Sequence, residues 1–444
     1  MQLTSFLNAS PVNYLAVATL EEELQAHGYR RLDPTQPLPD VHAGDKLYVT
    51  KNDSSLYAFH LGSAPLAEAG IRLICAHCDS PTFRIKPNPE MKCEGGFLKL
   101  NTELYGGAIM STWFDRPLSL AGRVMVRTND PLHPQTRLLH IQEPLLIIPN
   151  LAIHFNRQVN EGVALSKQKD MLPVLGIIDQ QLSAQGLLQK EVAVRLGVAP
   201  EDILDFDLYL YDTTPACTVG LHQEFISSGR LDDLSMVHAG LEALLAPSDP
   251  TLNSQLSTLN STSTQVLAIF DNEETGSGTK QGAASPFLAQ MLERLVIAQH
   301  RTLGLTTDPR DDFYRMIEQS FMVSADNAHA WHPNYGEKMD PTNHPRLGGG
   351  PIIKINAAQK YATDADGAAV FAEVCRRAGV PFQRFVNHSD VAGGSTLGNI
   401  LTASLPLRGV DMGNGVWGMH SIRETASLTD HQYCIQAFSQ FYWG

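Results

Sequence analysis

The sequence lacks any apolar run long enough to form a membrane-spanning helix, because its longest clean apolar stretch is Leu145–Pro149. The residues from Met1 to Phe6 carry neither the basic segment nor the apolar core of a signal peptide. We therefore expect a cytoplasmic protein with no membrane partner.

Cysteine is scarce, with six residues among 444 at positions 75, 78, 93, 217, 375 and 434, too scattered for a disulfide scaffold. The stretch Cys75-Ala-His-Cys78 has the spacing of a metal-binding or redox pair. No second pair completes a structural zinc site, and a redox pair would require a helix N-terminus at this point. The pattern favours reduced thiols over redox chemistry.

Positive charge is also in short supply, with 33 Lys and Arg against 47 Asp and Glu and a formal net charge of −14. Such a chain repels phosphate backbones, so we expect no nucleic-acid partner. The glycine-rich stretches Gly276–Gly278 and Gly348–Gly350 lack the endings of phosphate-binding loops, and no GxSxG nucleophile elbow occurs. These absences argue against nucleotide-binding proteins and serine hydrolases, whereas a single buried lysine can still recognise an acidic substrate.

The chain does contain enough apolar sequence, 43% of its residues, to build a large core over two or more domains. Ser10-Pro11 predicts the N-cap and first residue of an amphipathic helix that ends near His27-Gly28. Lys46–Val49 and Leu56–His60 alternate on either side of a polar turn. The N-terminal region therefore predicts a helix followed by a hairpin.

Three apolar runs, Ile71–Ala76, Val266–Phe270 and Phe321–Ser324, have the composition of buried strands, and each leads into acidic or histidine residues. Alternation of such strands with helices predicts an α/β sheet that is covered by helices on both faces. Because ligands bind at the carboxyl ends of the strands in such sheets, we expect the functional site there.

Between about Pro81 and Gly220 the sequence changes to short strand-like runs, such as Gly122–Arg127 and Leu145–Ile148. A helical patch lies near Gln180–Leu196. Since the α/β pattern returns after this stretch, we interpret it as a strand-rich domain inserted into the α/β domain.

Five loop segments combine His, Asp and Glu at unusual density. Carboxylates with imidazoles suit Zn²⁺, Co²⁺ or Mn²⁺, and the absence of a thiolate cluster indicates an open catalytic centre rather than a structural zinc site. Taken singly, each segment is also typical of a solvated turn. The segments are His77-Cys-Asp79, Gly229-Arg-Leu-Asp232-Asp233, Asp271-Asn-Glu273-Glu274, Ser324-Ala-Asp326-Asn-Ala-His329 and Met419-His420.

Two of these segments suggest separate chemical roles for neighbouring residues. Glu273 and Glu274 are adjacent and follow a predicted strand, so one carboxylate can bind metal while its neighbour transfers a proton. Asp79 lies two residues after His77, which is close enough to fix the tautomer of a metal-bound imidazole.

Together with several other stretches, these segments resemble the M18 metallopeptidase family, the aspartyl aminopeptidases. The matches run in the same order from the first helix nearly to the C-terminus, and jointly they are highly specific. They comprise Ser10-Pro11, Ala76–Pro81, Ile148–His154, Ser228–Asp233, Asp271–Ser277, Ser324–Asp326, His332–Tyr335, Gly394–Gly398 and Gly418–Glu424.

The resemblance implies an α/β fold with a doubly wound, mixed-sheet catalytic domain of the zinc-peptidase type, residues 1–81 and 221–444. It also implies an inserted strand-rich dimerisation domain, residues 82–220. Relatives form dimers that assemble into larger, often dodecameric, particles, so we expect a homo-oligomer. In this arrangement His154 would reach the active site of a neighbouring subunit.

The implied cofactor is a pair of Zn²⁺ ions, with Co²⁺ or Mn²⁺ as alternatives. The implied general base is Glu273, and Asp79 would orient His77. Three residues, His329, Lys354 and Tyr361, would line the substrate site together with His154. The implied ligands are His77, Asp232 and Asp326 for one ion, and Asp232, Glu274 and His420 for the other.

The implied activity is the removal of N-terminal residues, Asp or Glu above all, from peptides by a water molecule that two metals activate and Glu273 deprotonates. Lys354 can pair with an acidic side chain of the substrate, but it can equally serve the peptide backbone or a structural carboxylate. Two alternatives stay open at this point. One is a two-metal deacylase that cleaves small N-acyl compounds, and the other is a non-catalytic scaffold, against which the intact Glu273 argues.

Overall fold

The computed structural model describes residues 1–177, 186–246 and 261–444. Its largest sheet has nine strands, which we number along the chain. In spatial order they are β1 (Arg30–Arg31), β2 (Lys46–Lys51), β3 (Ser55–His60), β13 (Thr264–Phe270), β4 (Ile71–His77), β14 (Phe321–Ala325), β18 (Arg408–Gly413), β16 (Ile352–Lys354) and β17 (Gln383–Phe385). The central strands β13, β4, β14 and β18 are parallel neighbours. The antiparallel pairs are β2 with β3, β3 with β13, and β16 with β18, whereas the outer strands β1 and β17 pair parallel with β2 and β16. The sheet is therefore mixed, as predicted.

The three apolar runs predicted as buried strands form the centre of this sheet. β4, β13 and β14 contain those runs, and nearly every one of their residues is buried. Along β4, Ile74 and Ala76 pack into one apolar core, while Leu73 and Cys75 pack into the other. Since successive side chains of a strand point to opposite faces, both faces of the sheet must be covered.

Helices supply that cover. One core joins the sheet to α1 (Leu3–Ala9), α2 (Asn13–Ala26), α5 (Leu231–Leu245), α8 (Ala365–Ala378) and α10 (Leu428–Trp443). The other core joins it to α3 (Leu66–Ala69), α6 (Phe287–Leu303), α7 (Pro309–Glu318) and α9 (Leu397–Thr402). In the described part of the chain, no helix is long and apolar enough to cross a membrane.

A second, antiparallel sheet has six strands. In spatial order they are β8 (Gln135–His140), β7 (Leu118–Val126), β10 (Ile203–Asp212), β5 (Thr82–Cys93), β6 (Phe97–Tyr105) and β9 (Val174–Ile177). This sheet has its own apolar core, to which Trp113, Leu120 and Val192 belong, the last from α4 (Leu187–Leu196). Of the predicted helical patch, residues 180–185 lie outside the described residues.

A third sheet has five strands among the described residues. In spatial order they are β11 (Cys217–Val219), β12 (Phe225–Ser228), β20 (Glu424–Ser427), β19 (Gly415–Trp417) and β15 (Ala328–His329). β11 pairs with β12, so residues 217–219 belong to this sheet and not to the six-stranded one. The predicted N-terminal hairpin is also present, as β2 and β3.

Two local predictions are wrong. Helix α2 begins at Asn13 with Val12 as its N-cap residue, because Ser10 ends a separate short helix, α1, that the sequence did not suggest. A residue before proline is pushed away from helical conformation, which separates the two helices at Pro11.

The second wrong prediction is the strand at Leu145–Ile148, which forms only isolated bridges at Leu146 and Ile147. The prolines at its two flanks, 144 and 149, interrupt the hydrogen bonding that a longer strand would need.

Candidate metal centre

The candidate site lies where the central strands end. β4 ends at His77, β13 is followed by Glu273 and Glu274, and β14 is followed by Asp326. Because β4, β13 and β14 are parallel neighbours, their carboxyl ends bring these side chains together. Asp232 joins them from the N-terminus of α5, and His420 joins from the loop between β19 and β20.

Asp232 stands at the centre of the cluster. Its Oδ1 lies 3.6 Å from Nε2 of His77, and its Oδ2 lies 3.6 Å from Nε2 of His420. Glu274 Oε2 lies 3.3 Å from the same nitrogen of His420. The carboxylate of Asp232 therefore connects the two imidazoles.

Two sets of ligand atoms overlap at Asp232. His77, Asp232 and Glu274 offer atoms within 4.8 Å of one another, and Asp232, Asp233 and Asp326 form a second such set. An acidic residue common to both sets is what a pair of neighbouring ions requires. Asp233 is an addition to the residues expected from the sequence, and its Oδ2 accepts the backbone N–H of His77 at 3.2 Å.

Three buried carboxylate oxygens of the cluster have no hydrogen-bond partner among the described residues: Asp232 Oδ1, Asp233 Oδ1 and Glu274 Oε1. A buried carboxylate oxygen without a partner is costly, so groups of this kind are normally paired or bound to metal. Carboxylate oxygens together with imidazole nitrogens are the ligands that zinc accepts. The residues present therefore fit divalent metal ions.

Asp79 ties two neighbouring loops together. Its Oδ1 accepts the backbone N–H of Glu273 at 3.1 Å, and its Oδ2 accepts that of Glu274 at 3.1 Å. Nδ1 of His77 lies 3.4 Å from Asp79 Oδ1 but only 3.0 Å from the backbone oxygen of Asp79. The backbone of Asp79 thus orients the imidazole, while its carboxylate holds the turn that carries the two glutamates.

Three further groups support the cluster, and none had been assigned a role from the sequence. The buried carboxylate of Glu424 accepts the backbone N–H of Asp232 at 2.9 Å and that of His420 at 2.7 Å. Tyr105 donates its hydroxyl to Asp79 Oδ2 at 2.7 Å. The backbone oxygen of Gly107 lies 3.2 Å from Nδ1 of His420, which suits an N–H donor there and leaves Nε2 free for metal.

Burial controls the charge of the cluster. Burial, reinforced by nearby Asp326, raises the pKa of Glu273 to about 8 even though His77 opposes the shift. Burial and the charge of Asp232 raise the pKa of Glu274 well above its ordinary value. Burial also disfavours charge on His77, but the nearby carboxylates of Asp232 and Asp79 hold the pKa of this imidazole well above its usual range. A divalent ion that binds here would displace the protons that these groups retain.

Three of the expected substrate residues lie near the cluster. Lys354 is 3% exposed, with Nζ 3.4 Å from Asp326 Oδ2, and it donates to the backbone oxygen of Asn327 at 3.2 Å. The same ammonium lies 5.4 Å from the centre of the Tyr361 ring. His329 is exposed three residues after Asp326, and its ring packs edge-on against Phe385 at 5.9 Å.

His154, the fourth expected substrate residue, is exposed in a turn between β8 and β9. In the parts of the chain that the structure covers, no hydrogen bond or ion pair connects it to the cluster of the same chain. Its exposed position leaves it available to a neighbouring molecule.

Comparison with known proteins gives consistent similarities. The family model described as Aminopeptidase I zinc metalloprotease (M18) matches residues 6–442. A protein of Clostridium acetobutylicum described as probable M18 family aminopeptidase 2 is 48% identical over 441 residues, covering 99% of this chain and 98% of the relative. A protein of the same description from Pseudomonas aeruginosa is 43% identical over 443 residues, covering 99% and 97%.

Solved structures are similar over the same span. A chain in the structure of the Ape4 and Nbr1 complex superposes with a TM-score of 0.91 at 36% identity, covering 99% of this chain and 84% of that one. A chain of the S. cerevisiae mApe1 dodecamer superposes with a TM-score of 0.83 at 25% identity, covering 99% and 95%. The similarity thus extends through both large sheets.

Proposed function

Because the chain belongs to the M18 family of zinc metallo-aminopeptidases, we propose that it removes single N-terminal residues, preferentially Asp and Glu, from peptides at a dinuclear zinc centre. The observation that carries this proposal is the buried cluster at the strand ends in which Asp232 belongs to two sets of ligands. Beyond family membership, the proposal specifies the ligands, the base and the preferred substrate.

The proposed ligands are the predicted ones: His77, Asp232 and Asp326 for one ion, and Asp232, Glu274 and His420 for the other. The unpartnered carboxylate oxygens and the mixed imidazole and carboxylate set support Zn²⁺, with Co²⁺ or Mn²⁺ as alternatives. When bound, the two ions would supply Lewis acidity toward the peptide carbonyl and lower the pKa of water.

Glu273 is the proposed general base. Its neighbour Glu274 faces His420, while burial in the metal-free site raises the pKa of Glu273 to about 8, which indicates a carboxylate that can take up a proton. A carboxylate oxygen of Glu273 would accept a proton from the attacking water and return it to the amine nitrogen of the leaving peptide. The hydrogen bond from the Glu273 backbone to Asp79 keeps this side chain in place.

Lys354 supports the preference for acidic residues. Its ammonium group lies beside Asp326 and below the ring of Tyr361, so it places a positive charge next to the proposed metals. The carboxylate of an N-terminal Asp or Glu would share this ammonium with Asp326, and low exposure strengthens such an interaction. A neutral leucyl or alanyl side chain gains nothing from this charge.

We propose that residues 1–81 and 221–444 form the catalytic domain, and that residues 82–220 mediate assembly of a cytoplasmic homo-oligomer, with dimers building a dodecamer. The loop around His154 exposes large apolar side chains, with Leu151 56%, Ile153 53% and Phe155 81% exposed. Exposed apolar side chains grouped in this way are typical of protein contacts. The similar mApe1 of S. cerevisiae is a dodecamer. Assembly would bring His154 to the active site of a neighbouring subunit.

The decisive experiment compares the zinc-loaded protein with its Glu273→Gln variant on aspartyl, glutamyl, leucyl, alanyl and N-acetyl-blocked substrates. We expect the highest kcat/KM on free aspartyl and glutamyl substrates, and a large loss of kcat in the variant. Higher kcat/KM on leucyl and alanyl substrates would refute the acidic preference. Activity on N-acetyl compounds alone would instead indicate a deacylase, and inactivity on every substrate would indicate a scaffold.

A further inference from the structure

A short segment of the strand-rich sheet lies next to the cluster of carboxylates and imidazoles. This segment, residues 105–109, leaves the end of β6 and meets the α/β domain at several points. The Tyr105 hydroxyl donates to Asp79, the backbone oxygen of Gly107 faces His420 Nδ1, and the backbone N–H of Ile109 donates to the His420 oxygen at 3.0 Å. The cluster therefore takes part of its support from outside the α/β domain.

We propose that the 105–109 segment is a positioning element for the metal centre, in which Tyr105 fixes Asp79 and Gly107 fixes His420. Docking of the strand-rich sheet then sets how tightly the α/β domain holds its metals. This inference rests on the proposed dinuclear metal function.

Tyr105 supports the turn that carries Glu273 and Glu274 through two hydrogen bonds of its hydroxyl. Its oxygen donates to Asp79 Oδ2 at 2.7 Å and accepts from Nδ2 of Asn272 at 2.9 Å. Asn272 directly precedes Glu273, and Asp79 accepts the backbone N–H groups of Glu273 and Glu274. One phenol thus fixes both the residue before the turn and the carboxylate that binds the turn.

The ring of Tyr105 is itself held by the strand-rich sheet. It packs edge-on against Tyr209 of β10, with 5.8 Å between ring centres. Since the position of the hydroxyl follows the position of the ring, a displacement of this sheet would move the hydroxyl away from Asp79. The hydrogen bond therefore depends on the docking of the two parts of the chain.

The glycines of the segment allow its close approach. A Cβ on Gly106 would stand 3.2 Å from the Cβ of Glu274, and the backbone of Gly106 has a φ of +69°. A side chain at this position would therefore be strained and would press on a proposed ligand.

His420 requires external support of this kind. It adopts a φ of 68°, which is uncommon for a residue other than glycine and persists when surrounding contacts hold it. The backbone N–H of His420 donates to Glu424, and its backbone oxygen accepts the N–H of Ile109. Nδ1 of its ring lies against the backbone oxygen of Gly107. The ring is thereby oriented with Nε2 toward Asp232 and Glu274.

The test substitutes Tyr105→Phe and follows Co²⁺ binding to the full chain by visible absorption, alongside kcat and KM. The matched control is Tyr211→Phe, which also removes a buried phenolic hydrogen bond, 2.6 Å to the Ile141 oxygen, but within the strand-rich sheet. We expect Tyr105→Phe to weaken Co²⁺ binding by about 10- to 100-fold, to alter the Co²⁺ spectrum and to lower kcat more than it changes KM. The control should match the wild type in all three measurements.

A second variant, Gly106→Ala, acts through Glu274 without removing any hydrogen-bonding group, and we expect it also to weaken Co²⁺ binding. Wild-type affinity and an unaltered Co²⁺ spectrum in both folded variants would overturn the positioning role while leaving the proposed function intact. Failure of the wild type to bind Co²⁺ or Zn²⁺ at all would overturn the proposed function, and this inference with it.

Discussion

Neutralising Glu273 should stabilise the metal-free protein increasingly as the pH rises above about 5. Burial raises the pKa of this carboxyl group from an ordinary 4.5 to about 8. A group with a raised pKa binds its proton more tightly in the folded state than in the unfolded state. Its stabilising contribution is therefore fully present below about pH 4.5 and is lost as the pH rises through about 8.

The expected size follows from that shift. A rise of about three and a half pKa units corresponds to about 5 kcal/mol of lost stability once the pH exceeds the folded-state value, and to about 3 kcal/mol at pH 7. Glu273→Gln has the shape of the protonated side chain and carries no charge at any pH. The variant should thus match the wild type near pH 5 and exceed its stability increasingly toward pH 8.

The assay is urea unfolding in EDTA at several values between pH 5 and pH 8. A suitable control is Glu318→Gln, which alters an exposed glutamate at the end of α7 and should leave the pH dependence unchanged. If wild type and Glu273→Gln show parallel pH profiles, burial does not raise the pKa of Glu273, and the electrostatic argument for its role as a base fails.

Three other perturbations follow from the same site. Asp79→Asn places an amide where a carboxylate accepts hydrogen bonds from three donors. We expect kcat to fall about 10- to 100-fold in steady-state kinetics. An unchanged kcat would contradict the role of Asp79. Lys354→Met leaves Asp326 buried without its cation, so urea unfolding of the metal-free protein should show that the free energy of unfolding falls by about 3 kcal/mol. The ratio of kcat/KM on aspartyl substrates to kcat/KM on leucyl substrates should also fall. Chelation should abolish hydrolysis and lower the thermal midpoint, and added Zn²⁺ or Co²⁺ should restore both, unless the metals are bystanders.

The centre of the fold could be predicted from the sequence because its signals are local. The runs in β4, β13 and β14 are apolar at nearly every position, which is the pattern of strands covered on both faces. Acidic and histidine residues follow these runs directly, and parallel pairing brings the strand ends together. The convergence of Asp326, Glu274 and His77 could therefore be expected from the sequence.

Other features could not be predicted, because they depend on contacts between distant parts of the chain. Tyr105 lies 26 residues from Asp79 and 167 from Asn272, and nothing in its own neighbourhood indicates either hydrogen bond. Asp233 stood beside a predicted ligand, yet its place in a second set of ligand atoms depends on the position of Asp326. The start of α2 was misplaced since Ser10 fits an N-cap in sequence but ends the preceding helix in space.

Glu424 is an intermediate case. It lies in one of the stretches that resemble the M18 family, so a functional region could be predicted there, but no role for Glu424 itself could be. Its function is visible only from the two backbone N–H groups that its carboxylate accepts, one from Asp232 and one from His420.

The proposed ligands come from five separate segments, and His420 is the last of them along the chain. All nine strands described for the largest sheet end by Gly413, so a growing chain can hold the sheet and the other four ligands while that imidazole is still missing. The proposed pair of metal ions would therefore find its full set of ligands only after nearly the whole chain has been made.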